Sequence, residues 1–166
     1  LNVSLLGLGC MRFPVLENDN SKIDVDRSTS IVRYALEKGI NYFDTAYPYH
    51  GGESEAFLGR ALEGIRREDY HLATKSPVWL MENHDDFMKY LDEQLVNLNT
   101  NYVDFYLFHA LNKNSFEKIK SLEFERFVER AKEEGKIRYI GFSFHDELPI
   151  FKEIIDHYPW EFCQIQ

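Results

Sequence analysis

Apolar residues along this chain follow two alternating rhythms. In longer segments they recur every three to four residues. Ile31, Val32, Ala35 and Leu36 make one such face, Phe57, Leu58, Ala61 and Leu62 a second, and Phe87, Leu91, Leu95 and Leu98 a third. Phe124, Phe127, Val128 and Ala131 make a fourth, and all four predict amphipathic helices. DELPIFKEIIDHY predicts one more, with Pro149 tolerable in its first turn. Asp24 or Asp26 can cap the first helix, and Gly39 and Gly135 sit where left-handed residues end helices. Between these segments lie short, nearly continuous apolar runs: SLLGLGCM, INYFD, YHLATKS, VDFYLFH, IRYIGFS and EFCQIQ. Such runs predict strands, and their continuity suits strands covered on both faces. The glycines of the first, Gly7 and Gly9, allow close approach by a neighbour or by a ligand. Residues 17–21 read as loop, and the stretch after His109 as a polar connection.

Strand and helix alternate without hairpin signals, which predicts parallel strands joined by right-handed crossovers. A doubly wound sheet and a (β/α) barrel both satisfy that pattern. The dinucleotide fingerprint of the first is missing, because no GxGxxG follows the first strand and a polar loop stands there instead. Reactive residue types recur at the carboxyl ends of five consecutive strands: Asp44, Lys75, His109, Ser143 and Gln164. Singly, each reads as a strand-end polar group meeting solvent. Together they point to a barrel, which gathers those ends around one centre. The expected fold is therefore α/β, of the (β/α)8 TIM-barrel type. It is incomplete, a single partial barrel domain over residues 1–166 with six parallel strands, where a whole barrel takes ~250 residues.

Composition narrows the function classes. A hydrophobic share of 44% suits a globular domain with a core. The net charge of -9 argues against nucleic acid as a partner. Cys10 and Cys163 stand far apart and outside any metal-ligand spacing, so neither a disulfide scaffold nor a metal centre is expected. No apolar run approaches the ~20 residues that span a bilayer, and no leader pattern opens the chain, so the expected location is cytoplasmic. A metal-dependent hydrolase of the same barrel class is disfavoured because no HxH lies on a strand. His50, His71, His84 and His157 fall where solvated or capping roles are commoner.

The richest stretch runs from Asn41 to Gly59, where a strand ending in Asp44 meets two tyrosines, a glycine turn and an acidic helix. Lys75 next to Asp44 would form an ion pair. An ammonium beside a phenol favours the phenolate, which makes the phenol a usable acid. His109 at the neighbouring strand end could donate a hydrogen bond to a carbonyl oxygen. Acid, tuner and orienter together describe proton delivery to a carbonyl, and the component still needed is a source of hydride.

The run FDTAYPYHGGESEAFLG resembles the signature of the aldo-keto reductases, nicotinamide-dependent oxidoreductases on a (β/α)8 barrel. The likeness continues in order through LATKS, YVDFYLFHA, GKIRYIGFS and FCQIQ, across essentially the whole chain. It implies reduction of a small-molecule aldehyde or ketone with NADPH, NADH being the alternative. Asp44, Tyr49, Lys75 and His109 would form the catalytic tetrad, with Tyr49 the proton donor. Tyr47, three residues after Asp44, does not fit the family pattern of a tyrosine five after. The resemblance places Ser143 and Gln164 at the nicotinamide carboxamide, with Asp44 and the first-strand region at Gly9 and Met11 nearby.

Phe144 and His145 depart from the commonest pattern, in which an asparagine follows the serine. GFSFHD and YPWEFCQIQ look more like a microbial branch of the family, some longer members of which append an iron–sulfur domain. Strands seven and eight, which in the family carry an aromatic on the nicotinamide and basic residues on the adenosine phosphate, are not among the six. A fragment is expected, with open edges at the first and sixth strands as a route to homo-oligomers. The rival reading is a non-catalytic nucleotide-sensing or regulatory barrel subunit. Trp79, Leu80 and Met81 read either as an apolar wall for the substrate or as a loop anchored on helices. With the phosphate anchor missing, this segment alone is expected to bind NADPH weakly. Titration followed by tyrosine and tryptophan emission checks this, and saturation in the low micromolar range would overturn it.

Overall fold

The computed structural model describes residues 1–165; Gln166, the last residue of the expected sixth strand, lies outside the described residues. Six strands form one sheet: β1 (Leu8–Gly9), β2 (Tyr42–Asp44), β3 (His71–Ser76), β4 (Val103–Leu111), β5 (Ile137–Phe144) and β6 (Phe162–Ile165). Every pairing is parallel, and the spatial order is the chain order. A doubly wound sheet would reverse its order at a switch point. The unbroken order is that of a barrel wall, here an incomplete one. The crossovers carry α1 (Val25–Glu37), α2 (Glu53–Ala61), α3 (Asp85–Asn97), α4 (Lys113–Ser121), α5 (Phe124–Glu133) and α6 (Leu148–His157). None of these helices is long and apolar enough to cross a membrane.

Local chemistry explains most boundaries. The Asp24 side chain accepts from the Arg27 backbone N–H at 3.1 Å and caps α1, while Gly39 takes φ 83° just past its end. The buried stripe of α1 is Ser28, Val32 and Ala35, so the expected core position Ile31 is exposed instead. The polar connection after β4 contains α4, whose start is a capping box between Asn112 and Ser115. Only Phe116 and Ile119 of that helix reach the core, too sparse a stripe to read as a helical face. The first strand shrinks from an eight-residue run to Leu8–Gly9, and Leu5 and Leu6 are exposed. Gly7 is the close approach to a neighbour, since a Cβ there would lie 2.9 Å from the Tyr42 ring. At Gly9 a Cβ would meet nothing within 4 Å, so that position stays open.

Alternation along the strands separates two cores. Phe43, Leu72, Tyr106, Phe108, Ile140 and Phe142 are buried on the helix side, where Phe87 packs 5.8 Å from Phe108 and 5.1 Å from Phe127. On the other face Phe105 sits between Tyr42 at 5.2 Å, Tyr139 at 5.4 Å and Phe162 at 5.1 Å. This aromatic layer forms a floor inside the wall. At the amino ends of the strands, buried Asp104 holds Arg67 at 2.7 Å and Arg138 at 2.8 Å, with His71 Nδ1 3.3 Å away. His71 is thus a buried partner of a carboxylate rather than a solvated histidine.

Helix α2 crosses α3 so closely at Gly59 that a Cβ there would lie 2.7 Å from the Leu98 carbonyl carbon and 2.8 Å from Asn97 O. Those atoms are backbone and cannot swing away. Gly59→Ala is expected to destabilise the protein by about 1–3 kcal/mol, read as a lower urea midpoint. An unchanged midpoint would show that the two helices part at no cost.

Candidate active site

Side chains two residues apart on a strand share a face, and the register carries that face across the sheet. Gly9 pairs with Asp44, and Asp44 with Ala73, two residues before Lys75. Lys75 pairs with Leu107, two before His109; Leu107 pairs with Gly141, two before Ser143; and Ser143 pairs with Gln164. The functional position therefore advances two residues toward the carboxyl end from β2 to β3 and again from β3 to β4, stays level in the other steps, and keeps its face throughout. Asp44, Tyr49, Lys75, His109, Ser143, Gln164 and Met11 line one cleft of about 320 Å³, joined by His145 and Ile165. Gly9 borders an adjoining opening that also touches Asp44 and Gln164.

Lys75 is 1% exposed, and its ammonium has three acceptors. Nζ donates to Asp44 Oδ1 at 2.7 Å, to the Thr45 carbonyl at 2.8 Å and to Tyr49 Oη at 3.2 Å. The Tyr49 ring also stands edge-on to His109, with centroids 5.9 Å apart. Tyr47 faces elsewhere: its hydroxyl donates to Glu93 at 3.0 Å and its ring packs on Tyr90 at 5.5 Å. Burial and then the Glu93 carboxylate push that hydroxyl up to about 12. Its proton is held away from the cleft, which gives the family spacing a physical reason.

Residues 5–166 match the model of the Aldo/keto reductase family. The chain belongs to that family. It is similar to the uncharacterized oxidoreductase YqkF of Bacillus subtilis, 34% identical over 154 residues, covering 86% of this chain and 45% of that one. It is 36% identical over 172 aligned positions to the L-galactose dehydrogenase of Arabidopsis thaliana, covering 96% of this chain and 50% of that one. The holo form of aldo-keto reductase AKR11C1 from Bacillus halodurans matches with a TM-score of 0.81 at 32% identity, over 100% of this chain and 54% of that one. The chain spans about half the length of the curated relatives it matches.

Behind the cleft of this aldo/keto reductase chain lies a polar network that its sequence does not announce. Gln94, fully buried on α3, donates to the Lys75 carbonyl at 3.0 Å and to Glu55 Oε1 at 2.6 Å, and accepts from Tyr106 Oη at 2.8 Å. Glu55 also accepts from Thr74, and burial raises its pKa. Glu55 reads in the sequence as a first-turn helix acid, and only packing shows it facing β3. Trp79 and Met81 divide the two expectations for their loop. Met81 is buried as an anchor, whereas Trp79 is about half exposed and stands 5.4 Å from the His109 ring.

The residues present fit a nicotinamide carboxamide. Ser143 Oγ accepts from the Ala110 N–H at 2.7 Å and keeps its own proton to donate. Gln164 Nε2 reaches Asp44 Oδ2 at 3.3 Å, which leaves the side-chain carbonyl to accept. One donor and one acceptor complement a primary amide, and the absent Cβ at Gly9 leaves room beside them. Phe144 packs against Phe151 at 5.2 Å on the helix side, so it offers no polar contact in place of the usual asparagine; His145 lines the cleft instead.

His109 is held neutral near pH 7. Burial first, then the Lys75 ammonium and His145, lower its pKa from 6.5 to about 4. The unfolded chain takes up this proton near pH 6.5 and the native ring only near 4. Stability present above pH 6.5 is thus lost as pH falls through that window. His109→Gln removes this loss, so between pH 6.5 and 4 the variant's urea midpoint is expected to fall less than that of the wild type. Parallel curves would overturn the assignment.

Proposed function

We propose that this chain supplies the proton-delivering side of an NADP(H)-dependent aldo-keto reductase that reduces an aldehyde or ketone to an alcohol. NADH is the alternative cofactor. The observation that carries the reading is the third hydrogen bond of Lys75, the 3.2 Å contact to Tyr49 Oη. A buried ammonium with two acceptors already satisfied turns its remaining proton to a phenol, and its charge stabilises the phenolate left when Tyr49 protonates the carbonyl oxygen. Asp44 and the Thr45 carbonyl keep that ammonium in place. His109, neutral and beside Tyr49, can donate a hydrogen bond to the same oxygen and orient it.

Ser143 and Gln164 would hold the carboxamide of the nicotinamide, with Gly9, Met11 and Asp44 along its edge. When bound there, the reduced cofactor would supply the hydride that the carbonyl carbon receives. Trp79 beside His109 would form the apolar wall for the substrate. A nucleotide-sensing subunit would need the pocket but not the Lys75 to Tyr49 contact, and that contact favours the catalyst. The edges at β1 and β6 would serve as contacts between copies if no further strands cover them.

In the full-length protein, Tyr49→Phe is expected to lower kcat for aldehyde reduction by about 10²–10⁴-fold, the usual worth of a general acid. NADPH affinity should stay unchanged. Retained turnover would move the acid to His109, and wild-type protein that binds NADPH without oxidising it in the presence of an aldehyde panel would favour the sensor.

A further inference from the structure

His50 directly follows Tyr49, and the roles described so far leave it unused. It is 1% exposed, not solvated as its loop position suggests. Nε2 stands 3.1 Å from the Phe13 backbone N–H, which can only donate, and Nδ1 stands 2.8 Å from the Asn20 carbonyl, which can only accept. Those two partners define the ring: neutral, with the proton on Nδ1 and the lone pair on Nε2. The imidazole also lies on the Phe13 ring at 6.0 Å, and Phe13 packs edge-on against Phe57 of α2 at 4.9 Å.

The backbone at this point is strained. His50 takes φ 55° and ψ 41°, and Gly51 and Gly52 follow at φ 65° and 98°. Glycine would adopt the first of these three left-handed positions freely, whereas a residue with a side chain costs about 1–2 kcal/mol there. The two side-chain hydrogen bonds hold His50 in that conformation against the strain. Within its own turn, Tyr49 donates its N–H to the Ala46 carbonyl at 3.1 Å and its carbonyl accepts from the Glu53 N–H. Those ties are local, whereas the imidazole crosses to the segment leaving β1 and fastens the Tyr49 turn from outside.

We infer that His50 is a positioning residue: its neutral imidazole pins the Tyr49 turn to Phe13 and Asn20 and so sets the approach of Tyr49 Oη to Lys75 Nζ. The inference rests on the reading of Tyr49 as the acid. A phenol carried by an unpinned turn would still enter the cleft, but it would spend less time at the lysine, which lowers kcat rather than cofactor affinity.

Three variants of the full-length protein test this. His50→Leu keeps bulk without either hydrogen bond. His50→Asn accepts the left-handed backbone but is too short to span both partners. His50→Gln keeps one donor and one acceptor on a longer arm. The Leu and Asn variants are expected to lose roughly tenfold to a hundredfold in kcat with little change in KM for NADPH. Gln is expected to restore most of the rate. In crystal structures, the Tyr49 to Lys75 contact should lengthen in the Leu and Asn variants and persist in Gln.

Wild-type kcat in the Asn variant, or a Gln variant as slow as Asn, would overturn the inference. If the wild type turns over no aldehyde, the proposed function fails. His50 is then judged on the crystal structures alone: a lengthened contact in the Asn variant upholds its positioning role, and an unchanged one refutes it.

Discussion

A primary ammonium removed from water costs several kcal/mol unless every proton on it finds an acceptor. Lys75 is such a group, and much of the architecture can be understood as meeting that requirement. One acceptor comes from the adjacent strand end at Asp44, one from the backbone just beyond it at Thr45, and one from the turn after that at Tyr49. All three lie within six residues of one another, so a single corner between β2 and α2 surrounds the lysine. The same corner must be held from outside. His50 ties it to the segment after β1, and Ser54 shares a hydrogen bond with Thr45 at 2.8 Å.

The sheet turns this local requirement into a site. Parallel strands in chain order place successive strand ends side by side, and the register, advancing two residues from Asp44 to Lys75 and from Lys75 to His109 and level from there to Ser143, keeps all four at one rim. An irregularity in β4 beyond Phe108 lets the Ala110 N–H, at φ 52°, reach Ser143. The opposite rim has a different design. Asp104 is saturated there by Arg67, Arg138 and the Leu72 N–H. Between the rims lies the aromatic floor around Phe105, which separates the reactive end from the ion-pair end. One end thus gathers the titratable groups of the cleft, and the other holds a closed set of ion pairs.

Much of this was legible in the sequence for definite reasons. A strand covered on both faces must be apolar throughout, a surface helix must be apolar on one stripe, and each must stop at a polar or glycine residue. Those rules locate all six strands and five of the six helices, and they put Asp44, Lys75, His109, Ser143 and Gln164 at strand ends. Helix α4 escaped because two core residues, Phe116 and Ile119, make too thin a stripe, although its Asn112 and Ser115 cap was present to be read. The choice of Tyr49 over Tyr47 came from family spacing. Its physical ground, Glu93 and Tyr90 drawing Tyr47 aside, comes from a helix about forty residues further along the chain.

Tertiary structure alone decided what each buried polar group faces. His50 and His71 occupy positions that read as solvated, yet both are buried against partners far along the chain. Glu55 and Gln94, on two different helices, meet behind Lys75. Periodicity records which side of an element turns inward, because burial of apolar area acts on every residue of that side. It carries no record of which distant donor meets which acceptor, because a hydrogen bond depends on a few tenths of an ångström set by all the packing around it. The alternation of strand and helix and the reactive strand ends were therefore written along the chain. The three acceptors of Lys75 and the pinning of Tyr49 through His50 came into being only when the wall was assembled.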